Sequence, residues 1–239
     1  MKFMNLKISL IMFFFLFAMN ATAIEISSML NVANSNGEGV FTIKNTTDER
    51  IFLNVGMHEL HIDDEGEIHK NAYTRNNVEE WKIEVRPART VIAPGFEKDI
   101  KVSLSCLPDC DLSKDHVFQL AFVPTPYVES PTDESKTVQM AVGFAPLFIV
   151  PTENARIDYE ASYKDDTLYL HNKADSYLTL KIDGCGSNGP SSSCIQNATL
   201  LGGRSLKLKL REEVQKEKLE VSAKLHGRPI SHTQIIERE

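Results

Sequence analysis

Apolar residues recur at every second position in one short segment after another along this chain. Ile100, Val102 and Leu104 share one face of residues 98–104, and Phe118, Leu120 and Phe122 share one face of residues 117–123. A period of two marks a β-strand with one buried face. Turn chemistry separates the segments, as at Asn45-Thr-Thr-Asp48 and Pro94-Gly95. Further strands are expected at residues 40–44, 51–55 and 81–85, and a second series at 155–163, 167–171, 177–182, 206–210, 219–225 and 230–236. No segment carries convincing helical spacing apart from a turn or two near 211–218. Short strands at this spacing predict an all-β chain of sandwich type rather than an α/β fold.

One stretch, residues 137–151, closes the first series and leads into the second. Val138, Met140, Val142 and Phe144 alternate with Gln139, Ala141, Gly143 and Ala145, and a continuous apolar run from Leu147 to Val150 then stops at Pro151. Two readings stay open on the residues alone. The apolar face either packs into its own core or lies at a sheet edge and is offered to another protein. Residues 124–137, rich in Pro, Ser, Thr, Asp and Glu, read as the loop before it. The predicted boundaries are a leader at 1–23, one domain at 24–150 and a second at 151–239.

The leader has the form of a signal peptide. Lys2 and Lys7 precede an apolar run at 8–19, and Ala21-Thr-Ala23 gives the small-x-small cleavage pattern. Export is therefore expected, with Ile24 as the mature start and no membrane insertion. The net charge is −7 and becomes more negative when both leader lysines leave. An acidic surface argues against nucleic acid as a partner, since that contact relies on basic groups to neutralise phosphates.

Four cysteines lie in two local pairs, Cys106 with Cys110 and Cys185 with Cys194. Three connectivities exist, and the local pairing is favoured because each pair lies inside one proposed domain and flanks a turn-rich loop. Four thiolates can also hold zinc, but these spacings are not those of a zinc ribbon and an exported thiol rarely stays reduced. His58-Glu-Leu-His61, with His69 nearby, falls short of the helical zinc signature because its histidines are three apart. No nucleophile elbow, Ser-x-x-Lys or phosphate-binding glycine loop is present. The carboxylates of Asp63-Asp-Glu65 and Asp165-Asp166 read as solvated loop charge. Asn45-Thr-Thr47 and Asn197-Ala-Thr199 match a glycosylation acceptor, which matters in a eukaryotic host.

Several motifs, in order, resemble the periplasmic chaperones of the chaperone–usher pilus pathway. They are Arg86-Pro-Ala-Arg-Thr-Val-Ile-Ala-Pro-Gly95, Phe118-Gln-Leu-Ala-Phe-Val-Pro124, the strand closing on Leu147-Phe148 and Pro151, Leu168-Tyr-Leu-His-Asn172, and Leu200-Leu-Gly-Gly203. The resemblance covers nearly all of the mature chain. It implies two tandem immunoglobulin-like β-sandwich domains in an L- or boomerang-shaped arrangement. It also implies that Val138, Met140, Val142 and Phe144 form a donor strand that completes a pilin subunit, by the β-strand addition known for this family. The partners implied are fimbrial subunits and an outer-membrane usher, with a self-capping homo-oligomer as a further state of the free chain; no cofactor and no catalysis are implied.

The family's basic pair, which anchors a subunit's terminal carboxylate, falls on Met29 and Pro146 in this chain. Neither is basic, so the anchor is not carried over; Lys136, Arg86 and Arg89 are the candidates to substitute. Two other functions compete: a secreted two-domain adhesion or structural protein, and an exported metal-binding protein or enzyme built on His58, His61 and His69.

Overall fold

The computed structural model describes residues 24–106, 110–127, 142–186 and 192–239. Two β-sandwiches follow one another along the chain. The first uses β1 (Ile24–Ile26), β2 (Leu30–Val32), β3 (Glu38–Asn45), β4 (Ile51–Ile62), β5 (Ile68–Ala72), β6 (Ile83–Arg86), β7 (Arg89–Ile92), β8 (Glu97–Leu104), β9 (His116–Pro126) and β10 (Leu147–Val150). One sheet has the order β1-β3-β8-β6; the facing sheet runs β2-β10-β9-β4-β5, with β7 also on β4. The second sandwich uses β11 (Tyr159–Lys164), β12 (Thr167–Asn172), β13 (Leu178–Asp183), β14 (Ile195–Leu200), β15 (Ser205–Lys209), β16 (Lys218–Lys224) and β17 (Ser231–Glu237). Its sheets are β11-β12-β15 and β14-β13-β16-β17.

The period-two alternation has its expected consequence. Phe41 and Ile43 of β3, Ile100 and Val102 of β8, Leu53 of β4, and Phe118, Leu120 and Phe122 of β9 are fully buried between the first pair of sheets. Tyr163, Leu168, Leu178, Leu180, Leu219 and Val221 fill the second. Each such side chain contributes about 1.5–3 kcal/mol relative to exposure. Residues 211–217 hold a turn at 212–214 rather than helix and lead into β16.

A third apolar cluster joins the two sandwiches. Leu60, Val117, Ile149, Tyr177 and Leu201 are buried in it, with Leu30 and Leu147 packed against them. Here the unbroken run of β10 finds its reason. Phe148 and Val150 face the first core, whereas Ile149 and Leu147 face the joint, so both sides of the strand are covered. Two polar links reinforce this contact. The Asp115 carboxylate accepts the N–H of Thr152 and the N–H of Tyr177, both at 2.7 Å. At the β4–β5 turn the Gly66 carbonyl accepts the Ser205 N–H at 3.0 Å; a Cβ on Gly66 would meet that same nitrogen at 2.5 Å.

Three expectations change. Strand β4 extends to Ile62 rather than stopping at residue 55, so His58-Glu-Leu-His61 lies on a strand. Strand β9 likewise extends through Pro126, where a loop is expected from residue 124. Pro124 and Pro126 are tolerated because the N–H groups that β9 gives to β4 come from the alternate residues; Tyr127, for instance, donates to Arg50. Asn45 is no glycosylation acceptor in the fold. It is fully buried, donates to the carbonyls of Glu49 and Ile92, and accepts from Thr47. Asn172 repeats the device in the second sandwich, bonded to Ser176, Leu200 and Leu201.

Candidate functional site

The chain ahead of β10 has a different environment from β10 itself. From Leu147 to Ile149 the strand is paired on both sides, antiparallel to β9 and parallel to β2. Before Leu147, β9 alone among the described residues holds it. Phe144 and Phe122 exchange both backbone hydrogen bonds, at 2.8 and 3.1 Å, and the Leu120 N–H donates to the Pro146 carbonyl at 3.0 Å. Since Phe144 and Pro146 both bond to β9, the N–H and C=O of Ala145 between them point to the opposite side. Among the described residues nothing pairs with them there. The line of pairing on that side resumes where the Leu147 N–H reaches the Met29 carbonyl. Among the described residues the result is a short sheet edge, open ahead of Leu147 and closed at its upper end by β2.

The expected donor residues divide along this stretch. Val138 and Met140 lie outside the described residues. Val142 is 69% exposed, with Phe96 at 68% the most solvent-facing large apolar residue of the first sandwich among the described residues. Phe144 is half-buried and packs on the chain's own core. Met29 and Pro146, the positions at which the resemblance places a basic pair, are neighbours across the β2–β10 ladder, so their proximity holds although neither is charged. Arg86 is engaged by Glu84 at 2.6 Å and Arg89 by Asn54 at 3.1 Å; Lys136 lies outside the described residues. Cys106 is bonded to Cys110 and Cys185 to Cys194.

The histidines do not converge. His58 and His61 alternate to opposite faces of β4, and His61 stands across from His69 on β5. No group of three His, Cys, Asp or Glu among the described residues is placed to hold a metal ion. Asp63 is a turn organiser rather than free loop charge. Its carboxylate accepts the N–H of Glu65 and of Glu67 and meets His69 Nε2 at 2.5 Å.

A buried charge cluster near the joint is absent from the sequence reading. Glu59, 5% exposed, takes Lys82 Nζ at 2.6 Å and the Tyr73 hydroxyl at 2.9 Å. His116 Nδ1 stands 3.8 Å away, beyond direct hydrogen-bond distance. Burial alone would raise this acid; His116, Lys82 and Tyr73 together outweigh it and bring the pKa down to about 2. Tyr73 moves the other way, well above the usual phenol range, because burial disfavours its anion and Glu59 is beside it. The cluster borders a cavity of about 200 Å³ between the sandwiches, lined also by His61, Lys114 and Asp175. A signal existed in the sequence: Glu59 continues the inward series Leu53, Val55, Met57, where an acid is out of place.

Comparison with known proteins gives this architecture a context. An Escherichia coli protein described as an uncharacterized 25.9 kDa protein in the CS5 3' region is 22% identical over 189 residues, 78% of this chain and 81% of that one. The solved class 5 fimbriae chaperone CfaA aligns over 89% of this chain and 98% of its own, with a TM-score of 0.54 and 12% identity. A chain from the Salmonella enterica SafA pilin complex with the SafB chaperone aligns over 92% and 98%, with a TM-score of 0.57 and 8% identity. At such identities the likeness is one of fold. Residues 26–151, more than half of the sequence, match the family described as CS5 fimbrial protein N-terminal domain. The chain belongs to that family.

Proposed function

We propose that this protein is a periplasmic chaperone of fimbrial subunits, with residues 24–150 as the subunit-facing domain and 151–239 as the second. In this reading residues 1–23 direct export and are removed. A subunit short of one strand exposes an apolar groove and unpaired backbone, and both invite aggregation. The chaperone adds its own strand, giving backbone bonds from the edge ahead of Leu147 and side chains from Val138, Met140 and Val142. Phe144 contributes less, being already packed at home. Release takes place at an outer-membrane usher by exchange with another subunit's N-terminal strand, one β-pairing replacing another without nucleotide or cofactor. Free chaperone can cover the same edge with a second copy.

The observation that carries this reading is a strand that, among the described residues, is paired on one side only at Phe144 and Pro146 and on both sides immediately afterwards. The shared fold with CfaA and the SafB complex supports it. No helix among the described residues is long and apolar enough to cross a membrane.

Co-expression with a CS5 fimbrial subunit tests it. Met140→Asp and Val142→Asp should leave the chain folded and abolish co-purification of the subunit. If both variants misfold, the strand serves its own core and the proposal fails; it fails equally if both fold and still retain the subunit.

A further inference from the structure

The stretch that leaves the home sheet contains one residue whose missing side chain is required. A Cβ built on Gly143 would lie 2.4 Å from the Phe122 carbonyl oxygen, 3.4 Å from its carbon and 3.5 Å from the Val123 Cα. All three are backbone atoms of β9, a strand held on its other side by ten register pairs with β4, so they cannot give way cheaply. That oxygen is also the acceptor of the Phe144 N–H. Any side chain at 143 therefore collides with one half of the Phe144–Phe122 pair.

This pair is the last to which β9 can donate an N–H. The residues of β9 that donate toward this strand alternate: Leu120 reaches Pro146 and Phe122 reaches Phe144. The next in the series is Pro124, which has no N–H. Beyond Gly143 the home sheet has no donor to offer, and Val142 is already in solvent. The direction of Gly143 agrees with a break in the strand. Its Cβ vector points within the sheet at a carbonyl, not out of the sheet as in a regular ladder, so the face carrying Phe144 does not simply continue to Val142.

We infer that Gly143 is the positioning residue of the lent strand: it permits the final rung to close, holds Phe144 in the home core, and makes Val142 the first side chain presented to a guest. This rests on the strand-lending reading above. The guest it fits is an extended backbone whose N–H and C=O groups meet those of Ala145 and whose run ends where Met29 takes over the ladder.

Amide hydrogen exchange on the full mature chain, with and without a CS5 fimbrial subunit, tests the inference. In Gly143→Ala the amides of Phe122 and Phe144 should exchange about tenfold faster, the scale of one weakened hydrogen bond, while those of Phe118 and Phe148 keep their wild-type rates. Subunit capture should fall by a similar factor of about ten. Unchanged exchange at Phe144 together with unchanged capture would overturn the inference. If the variant does not fold, the wild-type chain decides. The amide of Ala145 should be unprotected when free and protected by the subunit, with Phe144 protected in both states. Protection of Ala145 in the free monomer overturns it. A wild-type chain that shows no capture at all defeats the chaperone reading, while the exchange rates in Gly143→Ala still judge the seat of the strand.

Discussion

Lys82 sets its ammonium 2.6 Å from the carboxylate of Glu59 inside the first sandwich, at the end nearest the joint. An acid at a core position remains charged there because its donors outweigh the cost of burial. Replacing Lys82 with Met leaves a buried carboxylate without its main counter-charge and should cost about 3 kcal/mol in urea unfolding, whereas exchanging Glu59 for Gln should cost less.

The same acid predicts a response to pH. Its pKa falls from 4.5 to about 2 on folding, so its contribution is fully present above about pH 4.5 and is lost as pH drops through 2. The linkage is worth about 3 kcal/mol. Denaturation midpoints measured between pH 5 and pH 2 should fall less steeply in Glu59→Gln than in the wild type.

Asp115 holds the two sandwiches together through two backbone N–H groups from the second one. Asp115→Ala strands both donors and should cost about 1–3 kcal/mol. Calorimetry should then resolve two transitions where the wild type melts in one. Burial raises the pKa of Asp115 and the Thr152 and Tyr177 N–H groups pull it back, so Asp115→Asn, which keeps one acceptor, should be the milder change.

Asn45 and Asn172 close equivalent loops in the two sandwiches. Each fills its amide with bonds to backbone that no water can replace. Alanine at either position should cost about 2–3 kcal/mol and destabilise chiefly the sandwich that contains it, as amide exchange in β3 or in β12 would report.

The two disulfides close loops of different length, four residues apart and nine residues apart in sequence. Chain entropy gives each about 2–3 kcal/mol, with the Cys185–Cys194 bond slightly stronger. Pairwise replacement by Ala, followed by denaturant titration, should show losses in that order.

Much of the architecture was legible because burial between two sheets imposes a period of two, and Phe118, Leu120 and Phe122 announce it directly. The limits came from residues whose environment depends on distant chain. The C-terminal half of β4 was missed because His58, Glu59 and His61 interrupt its apolar pattern, and Glu59 is acceptable only with Lys82 and Tyr73 folded against it. The prolines of β9 read as loop since nothing local tells which edge each N–H would have faced. The run at Leu147–Val150 was visible, but its cause was the second sandwich covering its outer face. Among the donor residues, the distinction between Val142 and Phe144 turns on Gly143, whose role depends on a carbonyl twenty-one residues earlier in the chain.

The strand that would be lent is also the strand that fastens the molecule together. Three residues separate Phe144, at the end of the open edge, from Phe148, sealed in the first core, and Leu147 and Ile149 are wedged between the bodies. A tug on the open end is thus borne by the hinge itself. Any tension or twist that a visiting polypeptide applies has a direct mechanical route to the mutual posture of the two halves.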